Sequence, residues 1–315
     1  MPTIHGHAWT FRPFLRSLTR PRVAPPSRHF RTTLEDPVRG TVRITGRMGP
    51  EPHHGTALVV VHGLGGSSQS FYALLAARAA ARAGIGCLRV NLRGADRGGD
   101  DIYHAGLTDD LRAVLRSPDL AGVERIHLLG YSLGGHLVLR YASEDGVDPR
   151  IGSIATVCAP IDLAAGVEEI DRPKGKVYRM HVLGGLRSIY EAAAAKGPMP
   201  STIPEARRIR TIREWDARIV APRFGFASPD DYYAKASVAP RLHRIDVPAL
   251  VVVAEQDPMV FAHTVKPSLE RASHLRSVYT KQGGHVGFPH DLDLGLGLEG
   301  SVEEQIVAWL RREGA

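Results

Sequence analysis

The chain of 315 residues has few of the features that mark membrane-spanning or aromatic-rich binding proteins. Its apolar runs stay well short of the ~20 residues that span a bilayer. No compact apolar segment with a small-residue cleavage site follows the N-terminus, so we expect neither a transmembrane helix nor a secretory signal. Aromatic residues make up only 6% of the chain, which argues against a large aromatic platform for sugars or bases.

Cysteine is scarce as well, with Cys87 and Cys158 alone in the whole chain. Both fall in apolar segments that read as buried strands. Two isolated thiols fit a reducing compartment better than a disulfide scaffold, so we expect free cysteines and a cytoplasmic protein. A single disulfide between them is the alternative.

Acidic residues are rare at the N-terminus. Residues 1–50 hold nine Arg and two acids and carry the whole net charge of +7. Such an arm could make peripheral contact with an anionic membrane, or it could be solvated without a partner. Prolines at 21, 25 and 26 argue against an amphipathic helix there, and we expect residues 1–34 to wrap the surface. No nucleic-acid partner is expected, and the oligomeric state is left open.

Apolar strand-like segments alternate with helical ones along most of the chain. The predicted strands lie near 41–47 and at 56–61, 85–91, 125–130, 151–160, 247–254 and 275–280. The predicted helices lie at 71–84, 108–115, 135–143, 265–272 and 301–312. Continuous apolar strands that alternate with helices indicate an α/β protein, in which a mostly parallel central sheet has helices on both faces.

The segment 161–240 interrupts this alternation, because it is charged, contains Pro173, Pro198, Pro200, Pro204 and Pro222 among its prolines, and shows only weak helical pieces. We interpret it as a lid inserted over the carboxyl ends of the strands. The predicted organisation is therefore a basic arm and first strand at 1–50, a core formed by 51–160 and 241–315, and a lid at 161–240.

The sequence GYSLG at 130–134 lies between a predicted strand and a predicted helix. This matches the G-x-S-x-G turn, on which a nucleophilic serine projects from the edge of a sheet. Gly130 and Gly134 are expected there because side chains at these positions would collide across the tight turn. The context predicts that Ser132 is a nucleophile.

A glycine-rich loop, HGLGG at 62–66, follows the predicted strand 56–61. A loop at this place can supply one backbone amide of an oxyanion hole, and the residue after the nucleophile supplies the other. We assign these donors to Leu64 and Leu133. Ser68 stands where a dinucleotide-binding loop would need its third glycine, so that alternative is excluded.

Asp257 follows the long predicted strand 247–254, and His285 lies in the glycine-rich segment 283–288. The chain order Ser132, Asp257, His285 is that of α/β-hydrolases. We predict that His285 is the general base and that Asp257 orients it. Asp162, after the strand that follows the serine turn, is the alternative acid.

The chain resembles the AB-hydrolase family that contains the bacterial YheT-like hydrolases and their eukaryotic acylglycerol- and phospholipid-hydrolysing relatives. The blocks that carry the resemblance are HGLGGSSQSFY, VNLRGAD, YHAGLTDDL, YSLGGHLVLRY, CAPIDL, TIREWDARIVAPRFGF, DYYAKAS and GGHVGF. The resemblance implies an α/β-hydrolase fold and a serine hydrolase that acts on carboxylic esters without a metal or organic cofactor. His136 departs from the pattern, since relatives usually carry Asn there.

Further residues are candidates for the wall of the substrate pocket. They are His62, Gly63, Tyr131, Tyr232 and Tyr233. Alternatively, His62 is a hydrogen-bonded residue of the core, and Tyr232 and Tyr233 are packing residues that do not line the pocket.

The leading hypothesis is a carboxylesterase or lipase-like enzyme whose substrate is a small-molecule ester with a short- to medium-chain acyl group. An acyltransferase that uses the same acyl-enzyme is a second hypothesis. A catalytically silent binding protein on this fold is the third. His104 with Asp109 and Asp110 could suggest a metal cluster, but charge at a helix N-terminus explains these acids better, so no metal is expected.

Overall fold

The computed structural model describes residues 4–19, 23–50 and 55–315, with the backbone alone for 13–19. An eight-stranded sheet runs through the described residues in the order β1-β2-β4-β3-β5-β6-β7-β8. Its strands are β1 (Arg28–Asp36), β2 (Gly40–Met48), β3 (Thr56–Val61), β4 (Gly86–Asn91), β5 (Arg125–Tyr131), β6 (Ile151–Val157), β7 (Ala249–Ala254) and β8 (Arg276–Thr280). The pairs β1–β2 and β2–β4 are antiparallel, and the others are parallel.

The helices connect the strands and cover the sheet. They are α1 (Ile4–Thr19), α2 (Phe71–Arg82), α3 (Asp109–Leu115), α4 (Leu133–Ala142), α5 (Leu163–Asp171), α6 (Lys176–Ala194), α7 (Ile203–Arg208), α8 (Ile212–Trp215), α9 (Ala221–Phe224), α10 (Pro229–Ala236), α11 (Ala262–Arg271) and α12 (Val302–Glu313). In the described part of the chain, no helix combines the length and apolar character needed to cross a membrane.

The central strands are buried on both faces, which explains why they appear as unbroken apolar runs. In β3, Val59 and Val61 pack into the larger core, which also receives α4 and α6. Their neighbours Leu58 and Val60 point to the opposite face and pack with residues of α2 and α12. Successive side chains of a strand alternate between faces, so a strand with two covered faces needs apolar residues at every position. The predicted α/β architecture is confirmed.

The N-terminal arm contains more regular structure than its sequence predicted. Residues 28–36 form β1, an edge strand in which Phe30 is the only fully buried residue. Residues 4–19 form α1, so the expectation that prolines would prevent a helix here is wrong. Pro13 falls inside this helix range, where a proline removes one intrahelical hydrogen bond, and Pro21 lies after its described end.

The segment between β6 and β7 is more helical than its sequence indicated. It contains α5 to α10, and α6 alone spans 19 residues. The division of the chain into core and lid remains a prediction. Cys87 and Cys158 are buried and unpaired, as expected.

Candidate active site

Ser132 occupies the turn between β5 and α4 in a strained backbone conformation, with φ 52° and ψ −124°. Its N–H donates to the Val157 carbonyl oxygen of β6 at 2.8 Å, which holds the turn against the sheet. A Cβ on Gly130 would overlap Gly135, and a Cβ on Gly134 would overlap the carbonyl oxygens of β3 and His62. The glycines at this turn are therefore needed for space, as their positions in the sequence indicated.

Leu64 and Leu133, the predicted oxyanion-hole donors, line the cavity that Ser132 also lines. Leu133 is the first residue of α4, where helical N–H groups have no partner within the helix. Gly63 approaches so closely that a Cβ there would lie 2.9 Å from the Cβ of Ser132. Among the hydrogen bonds between described residues, none uses the amide of Leu64 or of Leu133 as donor. The assignment of these two amides to an oxyanion hole remains a prediction.

Asp257 and His285 form a direct pair, in which His285 Nδ1 lies 2.9 Å from Asp257 Oδ2. The other carboxylate oxygen, Oδ1, accepts hydrogen bonds from the N–H groups of Met259 at 2.7 Å and Val260 at 2.9 Å. The carboxylate is therefore fixed by three bonds and is almost completely buried, with 1% of its surface exposed. The carboxylate accepts the hydrogen bond from the proton on His285 Nδ1. The other ring nitrogen, Nε2, then carries no proton and can accept one.

Ser132 and His285 line the same cavity, which has a volume of about 860 Å³. No direct hydrogen bond joins their side chains among the described residues. Leu64, Leu133 and Gly63 also line this cavity, together with Tyr232 and Tyr233. Asp257 lies behind His285 and does not reach the wall. The cavity wall is largely apolar beyond the serine, with contributions from Leu163, Val167, Leu186 and Ile212.

His62 and Tyr131, two of the candidate pocket residues, do not line the cavity. His62 Nδ1 lies 2.7 Å from the Gly63 carbonyl oxygen, and its Nε2 accepts the N–H of Leu92 at 3.2 Å. Burial lowers the pKa of His62 to about 4, so it is a neutral core histidine. Tyr131 belongs to the core on the opposite face and packs against Tyr72, with ring centroids 4.6 Å apart.

Three groups that could ligate a metal lie together, since the side chains of Cys158, Asp257 and His285 each bring a ligand atom within 4.8 Å of the others. Burial, and then the nearby carboxylate, raise the pKa of the Cys158 thiol well above its usual value. A metal would require the thiolate. The arrangement therefore fits a histidine–carboxylate pair better than a metal centre. In the cluster considered from sequence, Asp110 instead binds Arg93 at 2.8 Å.

His136 lies in α4 with both ring nitrogens close to carbonyl oxygens. Nδ1 is 2.7 Å from the oxygen of Pro160, and Nε2 is 3.0 Å from that of Ala236 at the end of α10. The ring therefore links the helix behind Ser132 to the segments that enter and leave the region 161–240. The His136 N–H donates to the Ser132 carbonyl oxygen at 3.1 Å as part of the helix start, but among described residues the ring itself makes no hydrogen bond to Ser132, Asp257 or His285.

Asp216 is a cavity-lining residue that sequence reasoning missed. It begins a short π-helical segment, Asp216–Val220, and accepts a hydrogen bond from the Tyr233 hydroxyl at 2.7 Å. Burial raises the pKa of this carboxyl to about 7. Asp216 stands between Glu214 and Arg218 in a charged stretch, so the sequence did not distinguish it from a solvated acid. In the structure its π-helical turn is of a kind that often occurs at functional sites.

Substitution of Asp216 by asparagine is expected to change how stability depends on pH. Between pH 4 and pH 7 the unfolded chain releases the Asp216 proton while the folded protein keeps it, so the wild-type free energy of unfolding should fall as pH rises through this window. Asparagine retains an acceptor for Tyr233 and has no proton to lose. Urea unfolding at pH 5 and pH 8 should show the variant gaining about 1–3 kcal/mol relative to wild type at the higher pH. Parallel pH profiles for the two proteins would contradict this.

Comparison with known proteins agrees with the resemblance found in the sequence. A family model described as "Alpha/beta hydrolase family" matches residues 58–293. The chain is 33% identical to the putative esterase YheT of Escherichia coli over 245 residues, which cover 76% of this chain and 72% of that protein.

More distant relatives are longer proteins. Identity to the monoacylglycerol lipase of Saccharomyces cerevisiae is 26%, over 74% of this chain and 55% of the lipase. Identity to human phospholipase ABHD3 is 25%, over 73% of this chain and 58% of the phospholipase. The chain therefore spans little more than half of these two relatives.

Among solved structures, an esterase of Pyrococcus furiosus, Pf2001, superposes with a TM-score of 0.57. The superposition covers 92% of this chain and 91% of the esterase at 17% identity, a likeness that shows the fold alone. With the family model matching most of the chain, the family predicted from the sequence is confirmed. The chain belongs to the alpha/beta hydrolase family.

Proposed function

We propose that this protein is a serine hydrolase that cleaves carboxylic esters through an acyl-enzyme. The observation that carries the proposal is the position of Ser132 on a strained strand-to-helix turn, facing the same cavity as a histidine bonded to a buried aspartate. The relatives named esterase and lipase support this class of substrate.

In the proposed mechanism His285 Nε2 takes the proton of the Ser132 hydroxyl as its oxygen attacks the ester carbonyl. The carbonyl oxygen becomes an oxyanion, and the amides of Leu64 and Leu133 donate to it. His285 then gives the proton to the departing alcohol, which leaves the acyl group on Ser132. Water, deprotonated by His285, attacks the acyl-enzyme and releases the acid.

Asp257 stabilises the charged imidazole during both transfers and keeps the proton of the neutral ring on Nδ1. Its other oxygen is held by two backbone amides, so the carboxylate cannot easily rotate away. The group is therefore well placed to orient His285 throughout the cycle.

The cavity favours an uncharged, short- to medium-chain acyl ester. Its volume of about 860 Å³ lies within the usual range for small-molecule pockets, and most of its wall is apolar. Phosphoester hydrolysis would need cationic or metal stabilisation of a charged group, and although Arg97 lines the cavity, most of the wall is apolar.

A panel of p-nitrophenyl and glycerol esters with graded acyl chains tests this proposal. We expect kcat/KM to pass through a maximum at short or medium chain length and expect no comparable turnover of amides, phosphoesters or glycosides. Added alcohols would reveal acyl transfer as a new ester product. Preference for one of the other bond types would overturn the proposal.

We also propose that the Arg-rich N-terminal segment makes peripheral contact with anionic membranes. A basic residue near an anionic surface contributes about 1 kcal/mol. Because β1 and β2 belong to the sheet, deletion of residues 1–50 is unsuitable, and the variant should instead combine Arg12→Gln, Arg16→Gln and Arg20→Gln. Liposome sedimentation should show salt-sensitive binding to anionic vesicles that weakens in the variant. Equal binding to neutral vesicles would end the proposal.

A further inference from the structure

The N-terminal helix α1 lies directly against the loop that carries His285. A Cβ on Gly6 would overlap the carbonyl oxygen of Gln256, the residue before Asp257. A Cβ on Gly284 would overlap both Gly6 and Thr10. The two backbones therefore meet through glycines, which permit a closer approach than any other residue.

The Thr10 side chain of α1 bonds to the backbone of His285. The Thr10 hydroxyl oxygen accepts the His285 N–H at 2.8 Å and donates its own proton to the Gly6 carbonyl oxygen at 2.8 Å. Thr10 thus satisfies the one backbone donor of His285 and is itself fixed by its helix. Since these residues are 275 positions apart, the contact is purely tertiary.

The His285 loop has little support of its own. Glycines occupy positions 283, 284 and 287, and Gly283 has φ +116°. Val286 has φ 51°, an unfavourable conformation for a β-branched residue. Within the loop, Gly284 N–H donates to the Gly287 carbonyl oxygen at 2.9 Å. A loop with this much glycine and a strained residue needs contacts from outside to keep one conformation.

The same helix also contacts α6 at the cavity wall. The His7 Nδ1 lies 2.5 Å from the Tyr178 hydroxyl, and Phe11 stacks on the Tyr178 ring with centroids 5.3 Å apart. Thr10, Phe11 and Tyr178 all line the cavity that contains Ser132 and His285. The helix therefore forms part of the cavity wall as well as a support for the loop.

We propose that α1 is a component of the active site and that Thr10 is a positioning residue, which fixes the backbone of the catalytic His285. The inference rests on the proposed serine hydrolase function. Loss of the Thr10 hydroxyl leaves the His285 N–H without its acceptor and lets the imidazole drift relative to Ser132. Because catalysis depends on near-attack geometry, such a drift lowers kcat far more than substrate binding.

Three variants of the full chain test this. Thr10→Val keeps the shape and removes the acceptor, whereas Thr10→Ser keeps the hydroxyl. Thr264→Val is the matched control, because Thr264 in α11 also donates its hydroxyl to a nearby backbone carbonyl, that of the N-cap residue Phe261 at 2.8 Å, and among the described residues makes no hydrogen bond to His285. For p-nitrophenyl butyrate we expect Thr10→Val to lower kcat by about 10- to 100-fold with KM changed less than about threefold. Thr10→Ser and Thr264→Val should stay within about threefold of wild type.

Hydrogen–deuterium exchange over residues 283–288 supplies a readout that does not depend on activity. Thr10→Val should exchange faster there, with the rest of the chain and the melting temperature near wild type. Unchanged kcat and unchanged exchange in Thr10→Val, or equal losses in Thr10→Val and Thr10→Ser, would overturn the proposal. If wild type hydrolyses no ester, the proposed function fails, and the exchange data alone decide whether α1 holds the His285 loop.

Discussion

Replacement of Ser132 by alanine is expected to leave a folded protein whose ester hydrolysis falls by about 10⁶-fold. Loss of a triad nucleophile has this size of effect because the remaining groups have no covalent intermediate to stabilise. The oxyanion donors and the cavity would still bind substrate, so the loss should appear in kcat with KM little changed. Initial rates on the best p-nitrophenyl ester, with circular dichroism to establish folding, measure it.

The matched control is Ser67→Ala. Ser67 lines the same cavity but lies in the loop before α2, where its hydroxyl accepts the Gln69 N–H at 3.2 Å. This variant should keep activity within about tenfold of wild type and should still react with a fluorophosphonate probe, whereas Ser132→Ala should not. Purified Ser132→Ala that kept more than a tenth of wild-type activity would remove Ser132 from the role of nucleophile.

The central strands could be predicted because burial on both faces leaves an unmistakable apolar signal. β3 is the clearest case, with TALVVV buried on either side. β1 gave no such signal because it lies at the sheet edge and buries little beyond Phe30. Its pairing with β2 supplies the backbone hydrogen bonds that hold an otherwise polar strand in place. Residue propensity and hydrophobic periodicity do not reveal a strand that is stabilised mainly by backbone hydrogen bonds to its neighbour.

The candidate pocket residues show a second limit. Tyr131 is next to Ser132 in the sequence, yet it is the last residue of β5 and packs against Tyr72, whereas Ser132 lies on the turn that follows. Alternation along β5 predicts the face of the Tyr131 side chain but not which residues meet at the end of the strand. The approach of α1 to His285 depends on glycine contacts between segments far apart in the chain, and no local pattern predicts such a meeting.

Asp257 follows β7 and bonds to His285, whereas the alternative acid Asp162 and the two acids that flank β7, Asp246 and Glu255, have other environments. The Asp162 side chain accepts the Ala165 N–H at 3.1 Å as the N-cap of α5. Glu255 pairs with Lys266 at 2.7 Å. Asp246 is exposed and precedes β7, at the opposite end of that strand from the cavity. Of these acids, only Asp257 bonds to His285.

Asp257→Asn should preserve the fold and lower kcat/KM by about 10⁴-fold. The reason lies in the two amides, of Met259 and Val260, that donate to Oδ1. Asparagine must keep its carbonyl oxygen at that position, which turns its NH₂ group toward His285. Nδ1 then has to accept a hydrogen bond, the ring proton moves to Nε2, and that nitrogen can no longer take the proton of Ser132.

Asp162→Asn is the matched comparison, because asparagine is as good an N-cap as aspartate and the residue does not contact His285. Its kcat/KM should stay within about threefold of wild type, on protein whose melting temperature is also close to wild type. Steady-state kinetics of both folded variants on one ester decide the assignment. A larger loss in Asp162→Asn than in Asp257→Asn would transfer the role of triad acid to Asp162. Since Asp162 follows the strand after the serine turn, the imidazole would then have to be oriented from β6 rather than from β7.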